Sequence, residues 1–134
     1  MTDGAAAPID NSSPSWLILL VEDNPMVGEV VQAMLQMGGF RSVHASGPQE
    51  ALAMLREPNR EFDLILTDFR MPRMTGIELI QEARTLRPGI KTILYSGNAD
   101  ESMAAGYAIQ PDRFLRKPFA PRILNDLVRE VLTG

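Results

Sequence analysis

At 134 residues, 45% of them apolar, the chain is long enough to pack one real core and too short for two comfortable domains. A net charge of −4 with no basic cluster argues against a nucleic-acid surface as its main role, and the lack of cysteine excludes disulfides, thiolate catalysis and cysteine-bound zinc. No positively charged start leads into a long apolar segment, so no signal peptide is expected, and the apolar run at 16–21 is far too short to span a membrane.

Residues 1–15 are small, polar and proline-containing, without periodicity, and read as a flexible tail ahead of a domain over 16–134. The continuous apolar run at 16–21 reads as a strand covered on both faces, with Trp16 at its start, and it ends in Glu22-Asp23. Asn24 and Pro25 open a helix on which Met26, Val27, Val30, Val31, Met34, Leu35 and Met37 recur at helical spacing, the methionines as core filler; Gly38-Gly39 stops it. A short strand at 41–45 carries His44, the single histidine, read as structural. Ser46 is expected to cap a helix over 48–57, and Pro58-Asn59 breaks it.

The third strand, 63–68, ends abruptly in Asp68; Pro72 and Gly76 punctuate the loop before a helix over 77–86. A fourth strand at 90–95 runs into Ser96-Gly97-Asn98. The segment 99–113, with Gly106 and Pro111, predicts a fourth helix that is short or irregular, near 100–105. The strand at 113–116 contains Phe114, expected in the core, and leads to Lys117-Pro118; a last helix covers 121–132. Strands alternating with helices predict right-handed crossovers and a parallel sheet with helices on both faces.

Such a sheet places Glu22-Asp23, Asp68, Ser96 and Lys117 at one edge, where ligands bind in open α/β folds. Close carboxylates repel, and a divalent cation relieves that; oxygen ligands without histidine or cysteine favour Mg²⁺. A carboxylate there can attack phosphorus, with Lys117 and Ser96 available to its oxygens. Taken alone, Glu22-Asp23 equally fits an acidic pair at a helix start, Ser96 a turn with Gly97, and Lys117 a solvated surface side chain.

Val21-Glu22-Asp23-Asn24, the run from Asp68 to Gly76, Tyr95-Ser96-Gly97 and Phe114-Leu115-Arg116-Lys117-Pro118-Phe119 together resemble the receiver domains of two-component response regulators, over about residues 16–133. The resemblance implies a flavodoxin-like, doubly wound five-stranded sheet of order 2-1-3-4-5. It implies that Asp68 accepts a phosphoryl group from a histidine kinase or histidine phosphotransfer protein. Asp23 would then be the more direct Mg²⁺ ligand and Glu22 would act largely through water, with the Arg70 backbone carbonyl as a further ligand. Ser96 and Lys117 would hold phosphoryl oxygens, Phe114 would be the aromatic switch, and the Lys117–Pro118 bond would be cis. Arg70 departs from the smaller polar residue often found there; its side chain, with Asn98 opposite, is expected to set the acyl-phosphate lifetime.

The expectation is a cytoplasmic bacterial phosphorelay switch that passes its signal to a downstream protein, not directly to nucleic acid or membrane. It would be a monomer or a phosphorylation-dependent dimer. With no effector domain following, it reads as a single-domain regulator or shuttle, or as a receiver cut from a hybrid kinase or larger regulator. A Mg²⁺-dependent phosphatase is disfavoured because Arg70 stands where such enzymes place a second aspartate, and a non-phosphorylated module is disfavoured by the intact acidic, serine and lysine set.

Overall fold

The runs LILLV, LIL and ILY cannot present either face to water, and they occupy the three interior strands of one sheet. The computed structural model describes residues 15–134, so the tail expected over 1–15 lies outside the described residues except for Ser15. Strands β1 (Leu17–Val21), β2 (Arg41–Ala45), β3 (Leu64–Asp68), β4 (Lys91–Ser96) and β5 (Arg113–Arg116) are parallel and ordered β2-β1-β3-β4-β5. Every residue of β3 is buried, whereas the edge strands β2 and β5 are largely open. The expected fold and strand order are therefore those observed, with strand ends shifted by a residue.

Alternation along the strands feeds two cores. Ile18, Leu20, Leu66, Ile93 and Tyr95 pack with Val31, Leu35, Leu124 and Val128 of α1 (Pro25–Met37) and α5 (Pro121–Thr133). Leu19, Val21, Ile65 and Leu94 pack with α2 (Pro48–Leu55), α3 (Gly76–Leu86) and Ala104 of α4 (Glu101–Ala105). Among the described residues, no helix is long and apolar enough to cross a membrane.

Local chemistry explains the helix starts. Asn24 Oδ1 accepts from the amides of Met26 (3.0 Å) and Val27 (3.2 Å) ahead of Pro25. Thr75 and Glu78 form a reciprocal capping box on α3. The cap expected at Ser46 falls instead on Gly47, because Pro48 takes the first helical position and the cap must directly precede it. Ser46 donates its amide (2.6 Å) and hydroxyl (2.9 Å) to Glu50 Oε1. Helix α2 also ends two residues earlier than expected.

Two burial expectations are corrected. On α1 the sheet-facing stripe is Gly28, Val31 and Leu35, while Met26 and Met37 are 76% and 74% exposed, so they are not core filler. The apolar arc of α1 is wider than the face the sheet covers. Phe114 is 45% exposed because β5 is an edge strand and five-residue α4 leaves that side open. His44 is structural as expected: its Nε2 donates to the Glu22 carbonyl (2.8 Å), and its ring fills the space a Cβ at Gly28 would need.

The short fourth helix is also as expected, a 3₁₀ turn over Asn98–Asp100 followed by α4. Gln110 Nε2 donates to the carbonyls of Ala104 (3.1 Å) and Tyr107 (2.7 Å), satisfying groups that further helical turns would have paired. Tyr107 then sets its ring edge-on to Phe69, centroids 6.2 Å apart.

A Cβ at Gly76 would stand 2.2 Å from the backbone oxygen of Asp68, which cannot step aside as a side chain could. Gly76→Ala is expected to cost about 1–3 kcal/mol in urea denaturation, whereas Gly89→Ala, in open space, should stay within about 0.5 kcal/mol of the parent.

Candidate functional site

Because the strands are parallel, their last residues meet at one edge. Glu22 directly follows β1, tied by its amide to the Ala45 carbonyl (3.1 Å). Its carboxylate is buried and held at both oxygens: Oε2 accepts from the Asn24 amide (3.0 Å) and Oε1 from the Tyr95 hydroxyl (2.5 Å). Asp23 beside it is exposed. Asp68 closes β3 in register with Tyr95 of β4, and it too is buried.

Lys117 follows β5, its amide donating to the Ser96 carbonyl (2.9 Å), and its bond to Pro118 is cis. Its ammonium stands 3.2 Å from Asp68 Oδ2 and 5.4 Å from the centre of the Tyr95 ring. Among the described residues, Asp68 Oδ1 is buried without a hydrogen-bond partner. Ser96 ends β4 and is buried.

Oxygens of Glu22, Asp23 and Asp68 can lie within 4.8 Å of one another. Burial above all pushes the Asp68 carboxyl above its ordinary range; Lys117 pulls it down and Glu22 pushes it up. An unpartnered buried oxygen among all-oxygen donors fits a hard divalent cation such as Mg²⁺. The mixture of a buried carboxylate, a neighbouring ammonium and a hydroxyl suits a dianionic phosphoryl group.

The remaining candidates are spread around this centre. Arg70, in the loop after Asp68, carries an exposed guanidinium that pairs with Asp100 at the end of the 3₁₀ turn. The Asn98 side chain, expected opposite Arg70, lies outside what is described, and the group that meets Arg70 is Asp100. Phe114 points outward from β5. Trp16 precedes β1 at the opposite end of the sheet, tilted against Phe40 with centroids 6.3 Å apart.

Sequence reasoning missed Asp100 and Tyr95. Tyr95 carried a usable signal: a phenol in a strand covered on both faces needs an acceptor. Burial, then the hydrogen bond to Glu22 and its charge, push that hydroxyl far above the ordinary phenol range, which keeps it a donor.

A family model described as response regulator receiver domain matches residues 18–129. The chain is 36% identical over 121 residues to the sensor kinase CckA of Brucella abortus, covering 90% of this chain and 13% of that protein. It is 38% identical over 109 residues to a response regulator receiver protein of Anaeromyxobacter sp., covering 80% of this chain and 45% of that one. The chain thus spans less than half the length of either relative. Among solved structures, a CheY-like response regulator receiver domain protein from Methanospirillum hungatei matches with a TM-score of 0.74 at 32% identity, covering 90% of this chain and 95% of that one. A receiver domain protein from Clostridium thermocellum shares the fold, with a TM-score of 0.81 at 23% identity over 88% of this chain and 94% of that one.

Ionising Asp68 against its raised value costs the folded state stability. That cost is absent where Asp68 is protonated in both states, builds as pH rises through the ordinary aspartate range, and is complete above the raised folded value. Asp68→Asn is therefore expected to raise Tm by a few degrees at neutral pH in metal-free buffer, with the gain vanishing in acid. A thermal melt series across pH checks this.

Proposed function

The chain belongs to the response regulator receiver domain family, and from that premise we propose that it is a phosphorylation switch whose phosphoacceptor is Asp68. The observation that carries the reading is the buried Asp68 carboxylate, one oxygen beside Lys117 and the other without a partner among the described residues, next to an acidic pair. Glu22, Asp23, Asp68 and the Arg70 backbone carbonyl would hold Mg²⁺. When bound, the ion offsets repulsion among the carboxylates and the charge of the incoming phosphoryl group.

An Asp68 oxygen attacks phosphorus of a phosphohistidine as the P–N bond breaks, and the electron pair returns to the donor imidazole. Lys117 neutralises charge on the transferred group and Ser96 donates its hydroxyl to a phosphoryl oxygen. As Ser96 moves, the outward ring of Phe114 turns into the space it leaves. Water attack on phosphorus later returns the free aspartate and inorganic phosphate. Arg70 and Asn98 set the rate of this attack; Asp100 governs where the Arg70 guanidinium rests. The catalysis is confined to the chain's own aspartate, since Arg70 offers no general acid for external phosphoesters.

The donor is a sensor histidine kinase or histidine phosphotransfer protein. Supporting this is the exposed apolar stretch Met26, Val27 and Val30 on α1, which starts three residues after Asp23 and suits an apolar helical partner. The output is a downstream protein or a second phosphorylated copy, reading the face where Phe114 and Met103 are exposed, without direct contact to nucleic acid or membrane. As the partner of an ATP-consuming kinase, the chain would act in the cytoplasm. It fits a single-domain regulator or phosphorelay shuttle; similarity to a sensor kinase favours, as a second reading, a receiver carried within a hybrid kinase or larger regulator.

Incubation with acetyl phosphate and Mg²⁺ is expected to add one phosphoryl group to the intact mass, and Asp68→Asn to abolish it; no adduct on the parent chain would sink the reading. Arg70→Ala should change the rate of phosphate loss several-fold by the same assay, and an unchanged rate would remove the side chain from the mechanism. Trp16 fluorescence should respond weakly to Mg²⁺, because the indole sits at the far end of the sheet.

A further inference from the structure

The Tyr95 side chain is fully buried and stands between the two charged arms of the site. Its hydroxyl donates to Glu22 Oε1 (2.5 Å), and the Lys117 ammonium lies 5.4 Å above its ring. Phe119 closes on that ring edge-on, centroids 5.7 Å apart. The Tyr95 backbone carbonyl also accepts from the Phe69 amide (2.9 Å), directly after Asp68. One residue therefore meets Glu22 of the acidic pair, the lysine and the loop after Asp68.

We propose that Tyr95 is the positioning residue of this centre, its hydroxyl fixing the Glu22 carboxylate for Mg²⁺ and its ring seating Lys117 beside Asp68. The Asn24 amide holds one Glu22 oxygen and Tyr95 the other, so the carboxylate is clamped at two points and cannot rotate. Packing does not require this choice, because an aliphatic side chain would suit the covered strand. Without the hydroxyl, Oε1 is a buried acceptor with no partner, and Glu22 must turn away from its present position. Groups that orient metal-binding carboxylates typically change affinity 10–100-fold when removed.

The inference rests on the Mg²⁺ site of the phosphorylation-switch reading. Titration calorimetry with MgCl₂ on the whole chain separates the two. If the parent chain binds no Mg²⁺, that reading fails and takes this one with it. If the parent binds and Tyr95→Phe binds within twofold, only the positioning role is overturned. The expected result is about tenfold weaker binding by Tyr95→Phe. A second readout does not depend on that variant folding. The chain has two tyrosines, so Mg²⁺ should produce a tyrosine ultraviolet difference spectrum that Tyr107→Phe retains. Its absence from the parent and from Tyr107→Phe would also overturn the proposal. Tyr95→Leu, which removes the ring as well, is expected to slow acetyl phosphate uptake beyond Tyr95→Phe at saturating Mg²⁺; equal rates would remove the ring's part.

Discussion

The structure is arranged around a buried carboxylate that is incompletely solvated by the protein. Asp68 sits at the tip of a strand with no exposed residue, so water cannot serve it freely, and among the described residues only one of its oxygens has a cation nearby. A fold does not gain stability from such a group, because burying charge costs more than a partly exposed lysine returns. The cost is tolerable only because interior strands on both sides hold the tip rigidly. That rigidity is what the proposed attack of Asp68 on a phosphoryl group would require.

The sheet order makes this possible. With β1 and β4 flanking β3, the residues after β1 and at the end of β4 fall on either side of Asp68, and β5 brings Lys117 in from beyond β4. Tyr95 converts this proximity into connection, since it is paired in register with Asp68 and bonded through its hydroxyl to Glu22. Gly76 completes the frame by letting the start of α3 approach the Asp68 carbonyl.

The α4 side is held differently. Five helical residues bury little, and the segment is held by discrete polar contacts: Arg70 to Asp100, Gln110 to two carbonyls, and Arg116 to Glu101. Several of its anchors, Phe69, Arg70 and Thr75, lie in the loop just after Asp68. A change at Asp68 therefore has a short physical path to the surface where Phe114 is exposed. Exposed ion pairs contribute only fractions of a kcal/mol to about 1 kcal/mol each, so these contacts hold the segment weakly.

Much of this was legible in the chain alone. Continuous apolar runs named the interior strands, helical periodicity and the cap at Asn24 named the helices, and the polar residues ending the runs named the edge where chemistry gathers. These are local signals, carried by residues close in sequence. What the chain could not show was which apolar residues would find cover: Met26, Met37 and Phe114 match a buried pattern yet stand in solvent, because burial depends on whether a neighbouring element reaches them. Nor could it pair Tyr95 with Glu22 across 73 residues or Arg70 with Asp100 across 30. Sequence by itself determined the elements and the residues delivered to the sheet edge; tertiary structure alone decided their partners, because a hydrogen bond or ion pair is set by distance in space, which packing creates.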